Sequence, residues 1–357
     1  MNKILHCIIL GVSMFHLLAR GLLIAKPTLH VFGDSLSDIG KLKNLTHEFI
    51  PPKPYWNGRF SSGPVWNEYL SFLLDYKLDN HAIGTAKSIT THHKLLGIFT
   101  LEPPSTYSQI SDFAIRYPHF YKTNESKSDL AILEVGSNDA ASAMMDIDSG
   151  RQTIYEFALQ LSNNVIEQLQ LLELIGFKRI IVLNLPPLQE TPIVIRKKRT
   201  FIAAVLVATY NNMLNQKAYG WAKSVKLDLF DVVDLNLFVK VAIRPNVLGI
   251  LGITDTKSFC VGGSWLGVFE NQTYLMTLLK FVIFADSIVA CNDPSTLFFF
   301  DPIHPSERVH RLFGYYIFKH IQGLEANQEP PNITENMLVT LIKKHSLEQP
   351  VEHMAKF

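Results

Sequence analysis

Three short polar clusters carry the residue types that acyl transfer needs. They are Gly33-Asp34-Ser35-Leu36-Ser37-Asp38, Gly136-Ser137-Asn138-Asp139 and Asp301-Pro302-Ile303-His304-Pro305-Ser306. A serine hydroxyl is a weak nucleophile until a base takes its proton. His304 is the best candidate base, because Asp301, three residues earlier, can hold one imidazole nitrogen while the other faces Ser35. Pro302 and Pro305 stiffen that segment, and proline suits the first position of a helix. Asn138 offers a side-chain amide of the kind that stabilises an oxyanion. Gly33 is expected to permit a tight strand-to-helix turn, with Ser35 at a helix N-terminus that favours developing negative charge. Taken singly, each residue has an ordinary role: Ser35 as a helix cap, Asn138 in a turn, Asp301 and His304 as a loop hydrogen bond or cap. Their joint placement, at strand ends and before a helix, favours chemistry.

Those placements rest on expected elements. Thr28–Phe32, Leu130–Val135, Arg179–Leu185 and Lys226–Val232 are short apolar runs that predict strands, with a weaker one at Leu78–Ile83. Val65–Leu74, Ile154–Leu174, Thr200–Ala222 and Pro305–Ile321 have helical length and spacing. Alternation of near-continuous apolar strands with helices predicts an α/β domain whose parallel sheet is covered on both faces. Ligands of such sheets bind beyond the carboxyl ends of the strands, where the Ser35 and Asn138 clusters fall. No G-x-S-x-G occurs, which argues against an ordinary α/β-hydrolase elbow.

Composition narrows the class. The 357 residues include 33 Lys+Arg against 32 Asp+Glu, a net charge of +1, and 47% are hydrophobic. That excludes a disordered chain and gives no overall drive toward nucleic acid. Mean hydropathy is +0.13, so membrane segments need a check. The uncharged run 4–19 is shorter than the roughly 20 residues that span a bilayer. Between Lys3 and Arg20 it reads as part of a secretory signal peptide over residues 1–25, the alternative being a buried first helix. Phe201–Thr209 and Phe281–Ala290 are also too short to span. Removal of a leader containing Cys7 leaves Cys260 and Cys291, a candidate disulfide in an exported protein and two buried thiols in a cytosolic one. Neither cysteine has the neighbour a zinc site needs, and His92-His93 read as exposed loop residues. Arg196-Lys197-Lys198-Arg199 read as a solvated start to a helix rather than an anionic-lipid contact.

GDSLSD, GSND and DPIH, in this order, resemble blocks I, III and V of the GDSL (SGNH) lipase/esterase family. Asn80-His81-Ala82-Ile83-Gly84-Thr85-Ala86 resembles block II, although relatives usually have an aromatic residue second and paired glycines where His81 and Thr85 depart. The stretch from Asn57 to Trp66 resembles the segment between blocks I and II in bacterial lipolytic members. The resemblance runs from about Thr28 to His320 and implies a three-layer α/β/α flavodoxin-like fold with a mainly parallel sheet. It implies Ser35 as nucleophile, His304 as base and Asp301 as its orienter. The oxyanion donors would be the backbone N–H groups of Ser35 and Gly84 and the amide of Asn138, with no cofactor and no metal. The hydrolase domain would cover 26–325, with 326–357 as a helical C-terminal extension.

The cysteine pair ahead of block V is similar to that of secreted bacterial phospholipases and glycerophospholipid:cholesterol acyltransferases. This implies a secreted, periplasmic or outer-membrane-associated enzyme of a Gram-negative bacterium. Its substrate would be phospholipid or lysophospholipid met transiently at a membrane surface, with cholesterol as an acyl acceptor. A Cys260–Cys291 disulfide would then tether the apolar stretch from Tyr274 to Phe284 as a lid, opened by movement or by an activating protease. A buried core helix is the equal alternative for that stretch. A carbohydrate or small-ester esterase, and a non-catalytic surface-binding module, are the other functional readings. Intact Ser35, Asn138, Asp301 and His304 weigh against the last.

Overall fold

The computed structural model describes residues 26–89, 104–262 and 288–350. The leader, His92-His93 and the Tyr274–Phe284 stretch lie outside the described residues. Five strands form the central sheet: β1 (Thr28–Phe32), β2 (Lys77–Asn80), β3 (Leu130–Glu134), β4 (Arg179–Leu183) and β5 (Leu229–Val233). Their order is β2-β1-β3-β4-β5 and every pairing is parallel. This is the flavodoxin-like order, with its switch point between β1 and β3.

Side chains alternate along each strand and so feed two separate cores. Phe32, Ala131, Leu133, Ile180 and Val182 pack against α2 (Thr106–Arg116), α3 (Ser137–Asp148), α4 (Ile154–Ile175) and α5 (Thr200–Ala222). Leu29, Val31, Ile132, Ile181 and Leu183 pack against α1 (Trp66–Leu74), α6 (Glu307–Glu325) and α7 (Glu335–His345). The result is the expected α/β/α sandwich. The C-terminal helix α7 buries Leu338, Leu341 and Ile342 in the second of these cores.

Several boundaries differ from the sequence expectation. β2 ends at Asn80, although His81 and Ile83 N–H still donate to the Val31 and Gly33 carbonyls at 2.7 and 3.1 Å; the Asn80 side chain holds the turn there, Oδ1 accepting from Ala82 N–H at 2.9 Å and Nδ2 donating to the Ser37 carbonyl at 2.7 Å. The helix after Asp301 starts at Glu307, since Pro305 is still bridged to Phe299. Helix α2 escaped prediction because few of its residues are apolar; its start is fixed by Ser105, whose hydroxyl accepts from Ser108 N–H at 3.2 Å. No helix of the described residues is long and apolar enough to cross a membrane.

Candidate active site

The chain brings Ser35, Asp301 and His304 into one line. Ser35 follows β1 on a turn in which Ser37 and Asp38 N–H donate to the Asp34 carbonyl at 3.1 and 3.0 Å. The expected helix N-terminus is absent there: the next helix begins only at Lys41. The Ser35 turn is instead held by side chains. Asp34 Oδ1 accepts from Leu36 N–H at 3.0 Å, and the Asp38 carboxylate accepts from Gly40, Lys41 and Leu42 N–H at 2.8, 2.6 and 3.0 Å.

Ser35 Oγ stands 2.8 Å from His304 Nε2, and His304 Nδ1 stands 2.6 Å from Asp301 Oδ2. Asp301 is fully buried, and its Oδ1 also accepts from the N–H groups of Ile303 and His304 at 2.8 and 2.7 Å. Tyr55 donates its hydroxyl to Asp301 Oδ2 at 2.7 Å. Burial and the adjacent Asp301 carboxylate push that phenol well above its ordinary range, so it stays a donor. The Phe60 ring lies 5.0 Å from the imidazole and braces it. Such a hydroxyl–imidazole–carboxylate chain can move a proton off Ser35 Oγ while the carboxylate supports the imidazolium that forms. His310, another imidazole beside the cavity, is no rival base: burial and the neighbouring His304 lower it to about 3.

Ser35, Thr85, Asn138 and His304 line one cavity of about 290 Å³ at the β1/β3 switch point. Asn138, at the start of α3, donates to Asp34 Oδ2 at 3.1 Å and to the Ala86 carbonyl at 3.0 Å, which fixes its amide plane. The structure places Gly84 with its N–H directed elsewhere than into the cavity. Its N–H donates to Asp38 Oδ2 at 2.7 Å, and it is not among the cavity-lining residues. The neighbouring Thr85 reaches the cavity in a left-handed conformation, φ 68°, and its N–H and that of Ser35 find no acceptor among the described residues.

A buried acid pair lies beneath the turn. Glu134 Oε2 accepts from Ser37 Oγ at 2.9 Å and from Asp34 N–H at 3.3 Å. Burial, and for Asp34 also the neighbouring Glu134 carboxylate, pushes both acids above their ordinary range. Sequence reasoning missed Tyr55, Asp38, Glu134 and Thr85. Only Thr85 gave a signal, as a β-branched residue where paired glycines were expected.

Cys260 and Cys291 are joined by a disulfide, Cα–Cα 4.8 Å. Cys260 packs in a cluster with Tyr55, Phe60 and Phe300. The root of the disulfide therefore belongs to the same packed cluster as the rings that support His304 and Asp301.

The sequence has counterparts among known proteins. The family described as GDSL-like lipase/acylhydrolase matches residues 29–317, and the chain belongs to it. It is therefore a carboxylic ester hydrolase of the GDSL esterase/lipase type. Phosphatidylcholine-sterol acyltransferase of Aeromonas hydrophila is 27% identical over 306 residues, covering 78% of this chain and 85% of that one. A GDSL esterase/lipase of Arabidopsis thaliana is 24% identical over 338 residues, covering 83% and 90%. Thermolabile hemolysin of Vibrio parahaemolyticus is 23% identical over 288 residues, covering 78% of this chain and 60% of that one.

Proposed function

We propose that the protein is an exported acyl hydrolase of phospholipids and lysophospholipids that works through an acyl-Ser35 intermediate. His304 Nε2 takes the Ser35 proton as Oγ attacks the ester carbonyl. The oxyanion that forms is met by the N–H groups of Ser35 and Thr85 and by the Asn138 amide, which shares one of its N–H bonds. Collapse expels the alcohol, which receives its proton from His304. Water then attacks the acyl-serine, giving its proton to His304, and releases the fatty acid and free Ser35. A sterol hydroxyl in place of that water gives acyl transfer, as the name of the Aeromonas relative says of that enzyme.

The observation that carries this reading is the make-up of the cavity. One wall is apolar, with Met144, Leu188, Ile193, Val194 and Ile303, and suits an acyl chain. Lys87, Lys197 and Arg199 also line it, and Arg199 is steadied by Asp148 at 2.5 Å. Cations beside an apolar slot suit a phosphate ester with a long chain. The Lys197–Arg199 stretch thus supports the lipid contact that sequence reasoning had ranked second. Export is supported by the apolar leader and by the disulfide, which an oxidising compartment favours. Control by an activating protease belongs to the same reading and rests on the tethered segment between the cysteines.

Product analysis tests it. Phosphatidylcholine and lysophosphatidylcholine, each with and without cholesterol, should yield free fatty acid, with cholesteryl ester appearing where cholesterol accepts. Ser35→Ala should remove both products, and Asn138→Ala should lower kcat by roughly 100–1000-fold, as for one lost oxyanion donor. Preference for a short acetyl or carbohydrate ester over the long-chain lipids would overturn the substrate assignment. Wild-type turnover in Ser35→Ala would overturn the mechanism.

A further inference from the structure

A second cluster of ionisable side chains lies where β1 meets β2, apart from the cavity. His30 on β1 is in register with Asp79 on β2, and His81 follows just beyond the strand. One donor atom from each residue lies within 4.8 Å of the others. Asp79 Oδ2 is 3.3 Å from His30 Nδ1 and 3.1 Å from His81 Nε2. Yet neither nitrogen has a hydrogen-bond partner, although His30 and His81 are only 5% and 2% exposed. The oxygen is near both nitrogens but off the line along which either N–H would point. Donors about 2.0–2.2 Å from one tetrahedral ion stand roughly 3.3–3.5 Å apart, close to the two spacings between Asp79 and the imidazoles.

The surroundings fit a cation. His30 Nε2 is 3.1 Å from Asp129 Oδ2, and Asp129 Oδ1 accepts from Thr28 N–H at 2.8 Å. With Nε2–H directed at Asp129, Nδ1 faces Asp79 and His81 and can give its lone pair to a cation that displaces the proton the two carboxylates favour there. A carboxylate behind a histidine is the usual outer support of a metal ligand. Asp79, Asp129, His30 and His81 are faced by the Lys41 ammonium, whose Nζ donates to the Asn80 carbonyl at 3.4 Å. The Asp79 and Asp129 carboxylates supply negative charge for a bound cation. Phe32 stacks on His81 at 4.7 Å, and Phe113 and Phe177 pack edge-on against His30. Asp79, with its side chain 39% exposed, leaves a path from solvent.

We propose that His30 Nδ1, Asp79 Oδ2 and His81 Nε2 bind a divalent transition metal, zinc by donor type, with solvent completing its shell. Imidazole donors favour zinc over calcium or magnesium, which take oxygen ligands. None of the three residues lines the cavity, so the ion is structural. It ties β1, which ends at the Ser35 turn, to the segment that carries Gly84 and Thr85. This proposal departs from the sequence expectation of a chain without a metal.

The test uses the full chain, stripped with a chelator, dialysed, and titrated with ZnCl2 or with CoCl2. A single tight equivalent per chain is expected, with the visible d–d bands of four-coordinate Co2+ and a rise in Tm on adding ZnCl2. His81→Phe keeps a ring beside Phe32 and should lose the Co2+ bands. Asp79→Asn, at a partly exposed position, should lose them too and stands in if His81→Phe does not fold. Asp129→Asn should weaken Zn2+ binding about 10–100-fold. Stripped wild type that takes up neither ion overturns the site, and so does a Co2+ spectrum in His81→Phe or Asp79→Asn identical to that of wild type.

Discussion

Thr85 holds a backbone conformation, φ 68°, that glycine adopts freely and a β-branched residue resists. Next to it, Gly84 has an ordinary φ but no room: a Cβ there would meet Phe60 Cε2 at 2.5 Å and Leu42 Cδ2 at 2.8 Å. The two positions therefore respond oppositely to substitution. Thr85→Gly should keep turnover within a few fold and leave stability unchanged or raised by about 1 kcal/mol, as relief of strain outweighs the added chain entropy. Gly84→Ala should displace Phe60, and with it the brace on His304, lowering both stability and kcat. Denaturant midpoints and kcat on one ester decide this. A Gly84→Ala protein indistinguishable from wild type would show that the packing is loose.

At the scale of elements, β5 is latched to α6 by a buried hydrogen bond across the sandwich. Asp231 Oδ2 stands 2.6 Å from His320 Nε2, and Tyr219 also donates to the carboxylate. Burial alone would raise the Asp231 carboxyl, but the bonds from His320 and Tyr219 outweigh it and hold it below its usual range. A depressed carboxyl favours the folded state above its unfolded pKa near 3.9, and that contribution fades as pH falls through the lower folded value. Asp231→Asn should therefore cost stability at neutral pH and progressively less below about pH 4. Tm profiles of both proteins from neutral to acid pH check this. A gap that widens on acidification would contradict it.

For the whole molecule, the three-layer sandwich sets the site at the β1/β3 switch point, and the disulfide closes the side where Tyr55, Phe60 and Phe300 gather. Closing a loop between residues 31 apart restricts the unfolded chain by roughly 3–4 kcal/mol in the chain-entropy argument. Reduction, or Cys260→Ser with Cys291→Ser, should lower unfolding free energy by that order. Hydrolysis should fall with it, since Cys260 packs with the rings that hold Asp301 and His304 in place. Denaturant unfolding with and without reductant measures the first effect, and initial rates under the same conditions measure the second. Two reactive thiols in the unfolded, oxidised protein would mean that the bond is not formed in solution.

The sequence by itself determined the α/β class, the strands β1, β3, β4 and β5, and the order of the Ser35, Asn138 and His304 clusters. Apolar runs and periodicity report which faces are buried, and that is local information. It also determined the Asp301–His304 pair, because three residues of a stiff loop leave little freedom. Tertiary structure alone decided which N–H groups stay open: Asp38 claims Gly84 from 46 residues away and leaves Thr85 to the cavity. It also decided that Tyr55, 246 residues from Asp301, completes the acid's hydrogen bonds, and that Asp129 orients His30 from 99 residues away. Hydrogen-bond partners of this kind are fixed by how distant segments approach once the cores close, and no local pattern of residue types encodes that approach.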